Sequence, residues 1–256
     1  MDIKKDVKEQ FGRNAESYVN SKIHKEGKDL YKLVQIASLI GDERVLDIAT
    51  GGGHTANAFA PFADKVTAID LTPEMLRAAE AFVMGNGNSN VDFLVADAEN
   101  LPFSPELYDA VTCRIAPHHF PNIKSFIEET YRVLKPEGQF LLVDNVAPEK
   151  DSFDSFYNTI EKKRDYSHFR AWKKSEWLVM LESAGFEIKE VHRFEKTFQY
   201  NSWCERMKLS EEDKMELNQF ILAADKEIIK KFRIQFSGNA VASFQGESII
   251  LKAIKY

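Results

Sequence analysis

Between residues 44 and 146 the chain alternates short apolar runs with segments of helical periodicity. The apolar runs are continuous stretches of Val, Leu and Ile, which is typical of parallel strands that helices cover on both faces. The pattern predicts strands at 44–49, 65–70, 91–96, 108–115 and 138–146, with helices at 54–62, 73–85 and 123–134. Alternation of this kind predicts right-handed βαβ units and a doubly wound α/β fold.

The pattern changes after Pro148. Helices are predicted at 151–164 and 175–184, the second ended by Gly185, and a strand is predicted at 186–194. A long amphipathic pattern at 210–231 begins with Ser-Glu-Glu-Asp, which suits a helix N-terminus, and predicts one continuous helix. Strands predicted at 232–236 and 248–254, separated by Gly238 and Asn239, complete the chain.

A glycine-rich turn follows the first predicted strand. The segment 50–53 (TGGG) leads into a helix, and glycines at such a turn let the backbone pass close to a ligand. Asp70 ends the second strand, where a carboxylate can accept both hydroxyls of a ribose. Asp97 follows the third strand, where it can accept an adenine amino proton. A structural turn and helix-capping acids are the alternatives at each single position, but the combination favours an adenosine-containing ligand.

Other nucleotide-binding signatures do not fit the loop. The glycines are followed by residues 54–56 (HTA), which do not complete GxGxxG, and no Gly-Lys-Ser/Thr follows. The pair Tyr131 and Lys135 has the Tyr-x-x-x-Lys spacing of a dehydrogenase. It lies on the helix before the fifth strand, however, where packing and a helix-terminal charge explain it.

Taken in order, the motifs resemble those of the class I S-adenosylmethionine-dependent methyltransferases. The closer resemblance is to the branch typified by the ubiquinone/menaquinone-biosynthesis C-methyltransferases, from about Phe11 to Val146 and more loosely to the end of the chain. One departure is Ala49, where the commonest pattern has glycine, although part of the family has alanine. The matching segments are 45–53 (VLDIATGGG), Asp70, 75–76 (ML), 97–99 (DAE), 101–103 (LPF), 118–120 (HHF) and 132–138 (RVLKPEG).

The resemblance implies a single methyltransferase domain over residues 1–256. Its sheet is expected to be doubly wound and seven-stranded, mostly parallel, with an antiparallel C-terminal strand. Residues 1–43 are expected to form an N-terminal helical lid and 44–146 the cofactor-binding core, with substrate-cap helices at 147–172 and 198–235. Aromatic side chains are frequent after residue 150, which suits an apolar acceptor pocket or, alternatively, a helical core.

The resemblance also implies the cofactor contacts. Asp47 is expected to bond the loop or to reach the amino-acid end of S-adenosylmethionine through water, and Asp70 to bind the ribose. Asp97 and the backbone of Ala98 are expected to form hydrogen bonds with the edge of the adenine. Arg114 is expected beside the methionine carboxylate or the acceptor, with a surface ion pair as the alternative. The remaining implied contacts are Ala49, Gly51 and Gly53 along the homocysteine and ribose, Leu71 on the adenine, and Tyr18 closing the pocket.

Methyl transfer from a sulfonium is an in-line displacement, so positioning and desolvation supply most of the catalysis and no covalent nucleophile is required. A general base is useful where the acceptor carries an acidic proton, and histidine suits that role. The candidate bases are His118 and His119 after the fourth strand and His168 in the predicted cap; structural histidines are the alternative. No His, Cys and Asp cluster has metal-ligand spacing, so no metal is predicted.

The composition agrees with a protein that binds a small molecule. The net charge of −6 argues against a nucleic-acid partner, and no apolar run reaches the roughly 20 residues of a membrane helix. The charged N-terminus argues against a signal peptide. We therefore predict a cytoplasmic enzyme that transfers a methyl group from S-adenosylmethionine to a small, apolar or aromatic metabolite. The alternatives are a non-catalytic S-adenosylmethionine-binding module and, less favoured, a nicotinamide-dependent oxidoreductase; the oligomeric state stays open.

Overall fold

The centre of the molecule is an eight-stranded sheet in the computed structural model, which describes residues 3–13 and 27–256. Its strands are β1 (Arg44–Ile48), β2 (Lys65–Asp70), β3 (Val91–Val95), β4 (Tyr108–Arg114), β5 (Leu134–Val146), β6 (Phe186–Gln199), β7 (Gln235–Ser237) and β8 (Ala240–Lys255). The order is β3-β2-β1-β4-β5-β8-β6, with β7 paired to β8.

The direction of the strands matches the expected class. Neighbours among β1 to β5 are parallel, whereas β8 is antiparallel to both β5 and β6. The predicted doubly wound, mostly parallel sheet with an antiparallel C-terminal strand is therefore confirmed. The short β7 adds one strand to the seven that were expected.

Helices cover both faces of the sheet because its central strands β1, β4 and β5 are largely buried on both sides. In residues 3–13 and 27–256 they are α1 (Ile3–Gly12), α2 (Lys28–Ala37), α3 (His54–Phe59), α4 (Pro73–Gly85), α5 (Ile123–Val133), α6 (Asp151–Arg164), α7 (Lys174–Ser183), α8 (Tyr200–Glu205), α9 (Glu211–Leu222) and α10 (Lys226–Lys231). Phe126 of α5 and Trp177 of α7 are buried on one face, and Leu33 of α2 and Phe59 of α3 on the other. No helix in this described part is long and apolar enough to cross a membrane.

The predicted single helix at 210–231 is wrong. The segment forms α9 and α10, and the break lies just before Lys226. The Asp225 carboxylate accepts the Ile228 backbone N–H at 2.8 Å and starts a new helix, a capping role that competes with helix continuation. Hydrophobic periodicity carries through such a break, so the pattern did not reveal it.

The predicted bounds of the C-terminal strands were inexact: the strand predicted at 232–236 is β7 (Gln235–Ser237), and the strand predicted at 248–254 was too short. The turn at Gly238 and Asn239 joins β7 directly to β8, which begins at Ala240 rather than at 248. Its partner β6 extends to Gln199 rather than 194, because it stays paired with β8 as far as Ser243. The long β6–β8 pair builds the side of the sheet that carries the C-terminal helices.

Many of the aromatic residues after position 150 build a separate core between these helices and β8. Trp203 contacts Phe244 edge to face, with ring centroids 4.8 Å apart, and Phe156 lies 5.2 Å from Phe232. Tyr157 and Tyr200 are buried in the same cluster. These side chains pack on one another, as the helical-core alternative expects.

Candidate functional site

A cavity opens at the carboxyl ends of β1 to β4, where loops from four strands and helix α1 meet. We call it the central cavity. The predicted cofactor residues that line it are Ala49, Gly51, Asp70, Leu71, Asp97, Ala98 and Arg114. This edge, at the reversal of strand order between β1 and β4, is where doubly wound sheets bind their ligands.

The loop after β1 is held from behind by Asp47. Its Oδ2 accepts the Thr50 hydroxyl at 2.6 Å and the Ala56 backbone N–H at 3.1 Å. Burial raises the pKa of Asp47 to about 7 despite these hydrogen bonds. The side chain is almost fully buried behind the loop, so it agrees with the loop-bonding alternative.

Three residues of this loop have left-handed backbone: Ala49 (φ 54°), Gly51 (φ 55°) and Gly53 (φ 79°). Glycine adopts this conformation without cost, which explains why glycine is the commonest residue at the position of Ala49. Gly51 brings its backbone to the central cavity.

The structure does not place Gly53 among the residues that line the cavity. A Cβ at Gly53 would lie 3.0 Å from the Ala79 Cβ and 3.1 Å from Val83 Cγ2. Packing of the loop against α4 is therefore sufficient to require glycine here. Tyr18, expected to close the pocket, lies outside the described residues.

Asp70 connects the glycine loop to the end of β2. Its Oδ2 accepts the Gly51 backbone N–H and its Oδ1 accepts the Thr72 backbone N–H, each at 2.9 Å. Burial raises the pKa of Asp70 against the effect of these bonds. Asp70 also lines the central cavity, where its carboxylate can accept hydrogen bonds from a ligand.

Asp97 lines the same cavity as the glycine loop, together with Leu71 and Ala98. Its Oδ1 accepts the Glu99 backbone N–H at 2.9 Å. Its Oδ2 is 2.6 Å from the Nζ of Lys4, a residue of α1. A contact with a helix so far away along the chain was not expected.

Arg114 is not a surface arginine. Its guanidinium Nε donates to Asp29 Oδ2 at 2.7 Å, and both side chains are more than nine-tenths buried. Although burial opposes it, the charge of Arg114 lowers the pKa of Asp29. The pair joins the start of α2 to the end of β4 and gives the cavity a fixed positive group.

The three candidate histidines lie together beside the cavity. The ring centroid of His118 is 4.3 Å from that of His119 and 5.6 Å from that of His168. His119 lines the cavity, and its Nδ1 is 3.0 Å from the Ser167 carbonyl oxygen. Burial and the neighbouring His118 lower the pKa of His119 to about 4, so this ring is neutral near pH 7.

His168 is not among the residues that line the cavity, and its ring centroid lies 5.6 Å from that of His118. Its Nε2 is 3.0 Å from Asn158 Oδ1, and burial strongly lowers its pKa. The Asn158 amide also accepts the Ala171 backbone N–H and so fixes the 165–171 segment on α6. This geometry suits a structural histidine better than a base.

Sequence reasoning missed Asp144, the partner of His118. Asp144 on β5 is fully buried, and its Oδ1 lies 2.6 Å from His118 Nδ1 and accepts the Asn145 backbone N–H at 2.8 Å. Burial alone would lower the pKa of His118, but the Asp144 charge and hydrogen bond outweigh it and raise that pKa. The available signal was an acid inside the apolar run 140–146 (FLLVDNV).

The chain resembles known methyltransferases over nearly its whole length. A family model described as "Methyltransferase domain" matches residues 46–142. Bacillus subtilis YcgJ, by name an uncharacterised methyltransferase, is 36% identical over 96% of this chain and 97% of its own. The ubiquinone/menaquinone biosynthesis C-methyltransferase UbiE of Rickettsia felis is 31% identical over 64% of this chain and 75% of its own.

Solved structures agree with this assignment. A Bacillus halodurans protein described as a candidate methyltransferase is 58% identical, with a TM-score of 0.88 over 90% of this chain and 99% of its own. The structure of YcgJ has a TM-score of 0.86 over 89% of this chain and 97% of its own. The chain belongs to the class I S-adenosylmethionine-dependent methyltransferases and is an enzyme of that family.

Proposed function

We propose that this enzyme binds S-adenosylmethionine in the central cavity and transfers its methyl group to a small, apolar or aromatic metabolite. The observation that carries the proposal is the convergence of Gly51, Asp70 and Asp97 on one cavity. A close backbone approach, a carboxylate for ribose hydroxyls and a carboxylate for an adenine amino group are the features that an adenosyl ligand needs.

The cavity residues fit the rest of this ligand. Gly51 lets the loop adopt its left-handed backbone (φ 55°) beside the cavity, a conformation that other residues adopt only with strain. Leu71 offers an apolar side chain to the adenine face, and Ala98 offers backbone to its edge. Arg114, held by Asp29, supplies a fixed positive charge for a carboxylate. When bound, S-adenosylmethionine supplies an activated methyl group on a sulfonium.

The remaining task of the protein is to orient an acceptor and exclude water. Val7 and Phe11 of α1 cover the cavity, and Phe11 contacts the His119 ring edge to face at 5.0 Å. Phe120 and Pro121 continue this apolar wall beside His119. An apolar or aromatic acceptor would replace water against these surfaces, which supports the proposed substrate class.

We assign the general base to His118, which does not itself line the cavity; its ring centroid is 4.3 Å from that of His119, which does. The Asp144 carboxylate accepts a hydrogen bond from Nδ1–H, which leaves Nε2 as the basic nitrogen, and its charge raises the basicity of the ring. His119 is a neutral ring of the cavity wall that orients the acceptor. His168 supports the cluster from behind through Asn158.

The proposal is tested by incubating the purified enzyme with methyl-labelled S-adenosylmethionine and a fractionated metabolite extract. We expect label to appear in one or a few apolar or aromatic compounds, and not when the Asp70→Asn variant replaces the wild-type enzyme. Label confined to strongly polar compounds would contradict the substrate class. Binding of the donor without transfer to any fraction would favour the non-catalytic module.

A further inference from the structure

Helix α1 lies across the central cavity and forms part of its wall. Lys4, Val7 and Phe11 all line the cavity, and their spacing of three and four residues places them on one face of the helix. Phe11 contacts the His119 ring at the C-terminal end of α1, and Lys4 contacts Asp97 at its N-terminal end. The helix therefore spans the distance from the proposed adenine site to the proposed acceptor site.

Lys4 forms ion pairs with two carboxylates at the end of α1 nearest the proposed adenine site. Its Nζ is 2.6 Å from Asp97 Oδ2 and 2.5 Å from Glu99 Oε2. Partial burial opposes the charge, but these two contacts outweigh it and raise the pKa of Lys4. The opposite oxygens are in use as well, since Asp97 Oδ1 accepts the Glu99 N–H and Glu99 Oε1 accepts the Asn122 N–H. Asp97 Oδ2 is thus the oxygen that an adenine amino group would take.

The central cavity beneath α1 is small compared with pockets that enclose drug-sized ligands. The central cavity has a volume of about 120 Å³. Pockets that enclose drug-sized ligands measure roughly 300–1,000 Å³. An adenine amino group reaches Asp97 Oδ2 only by displacing the Lys4 ammonium that occupies it.

We propose that Lys4 is a latch on the cofactor site, which the adenine opens by taking its place on Asp97. This inference rests on the proposed function, because it uses Asp97 as the adenine acceptor. The amino group of the adenine replaces the ammonium of Lys4 on Oδ2, and Lys4 keeps its contact with Glu99. Lys4 thereby lowers the affinity for the adenosyl ligand and favours ligands that offer a donor to Asp97.

Calorimetric titration with S-adenosylhomocysteine tests the latch at low and at high NaCl concentration. The variants are Lys4→Met, the charge-preserving Lys4→Arg, and Lys8→Met as a matched control on the exposed side of the same helix. An ion pair near the surface contributes up to about 1 kcal/mol, so at low salt we expect Lys4→Met to bind about fivefold more tightly than wild type. Lys4→Arg and Lys8→Met are expected to bind as wild type does.

The dependence of the wild-type affinity on salt provides a second readout. Screening weakens the latch, so the wild-type affinity is expected to approach that of Lys4→Met as NaCl rises. Equal or weaker binding by Lys4→Met at low salt, together with a wild-type affinity that falls with salt as the variant's does, would overturn the latch. If no form of the protein binds S-adenosylhomocysteine, the proposed function falls and the latch falls with it.

Discussion

The Nδ1 atom of His118 lies 2.6 Å from the Oδ1 atom of Asp144, inside a fully buried part of the sheet edge. The contact joins the turn after β4 to the end of β5. It raises the pKa of His118, whereas burial lowers the pKa of the neighbouring His119 to about 4. Adjacent histidines with shifts in opposite directions are suited to different tasks, one to accept a proton and the other to remain neutral.

Substitution Asp144→Asn tests the pair through the pH profile. The base acts in its unprotonated form, so wild-type kcat is expected to fall as the pH drops through the raised pKa of His118. Without the carboxylate this pKa falls, so the acidic limb moves to lower pH. We expect kcat at neutral pH to drop roughly 10²- to 10⁴-fold, because Nδ1–H loses the acceptor that orients the ring and the ring becomes a weaker base. The profile is measured with an acceptor identified by methyl labelling. Asp151→Asn, at an exposed position of α6, is the control, and an acidic limb unchanged in Asp144→Asn would contradict the assignment.

Substitution of each of the two adjacent histidines distinguishes the general base from the residue of the cavity wall. We expect His118→Asn to lower kcat by about 10²- to 10⁴-fold with little change in the affinity for S-adenosylhomocysteine. His119→Asn removes a ring that contacts Phe11, so we expect it to raise KM for the acceptor and to change kcat less than tenfold, about the scale of one lost ring contact. Steady-state kinetics on both variants decide this. The opposite ranking of kcat would move the base to His119.

Asp70 is expected to dominate the affinity for the cofactor. Asp70→Asn removes the charge and replaces one acceptor oxygen by a donor that faces the Gly51 or Thr72 N–H. A hydrogen bond to a charged group contributes about 1.5–3 kcal/mol, so the dissociation constant for S-adenosylhomocysteine is expected to rise about 10- to 100-fold. Asp92→Asn on β3, whose side chain is exposed and paired with Lys65, is the matched control. Equal affinities in the two variants would exclude Asp70 from the site.

The left-handed backbone of the glycine loop leads to a prediction on the free energy of unfolding. Gly53→Ala adds a Cβ at φ 79° and 3.0 Å from Ala79, so we expect the free energy of unfolding to fall by about 2–4 kcal/mol. Ala49→Gly relieves strain at φ 54° but loses a packed methyl group, so a change within about 1 kcal/mol is expected. Urea denaturation measures both. A tolerated Gly53→Ala would contradict the packing account of this glycine.

The sheet core and the glycine loop could be predicted because their signals are local. Continuous apolar runs mark buried parallel strands, and the element α4 lies at the predicted residues (Pro73–Gly85). The break before Lys226 could not be predicted from periodicity. It depends on the Asp225 side chain, which accepts the Ile228 backbone N–H and so starts a new helix.

The partners of the site residues depend on contacts distant along the chain. Asp144 meets His118 because β4 and β5 are neighbours and the turn after β4 folds back over the sheet edge. Lys4 reaches Asp97 only because α1 packs over the cavity, and nothing in the local sequence of either residue indicates this. The residue types at the sheet edge were therefore predictable, whereas the pairs that set their charge and orientation were not.

Calorimetric titration of the wild-type enzyme with S-adenosylhomocysteine and, separately, with NADH tests the central claim most directly. The account predicts that S-adenosylhomocysteine binds at one site per chain, that Asp97→Asn weakens this binding, and that NADH gives no binding heat. Binding of NADH without binding of S-adenosylhomocysteine would contradict the proposed cofactor site.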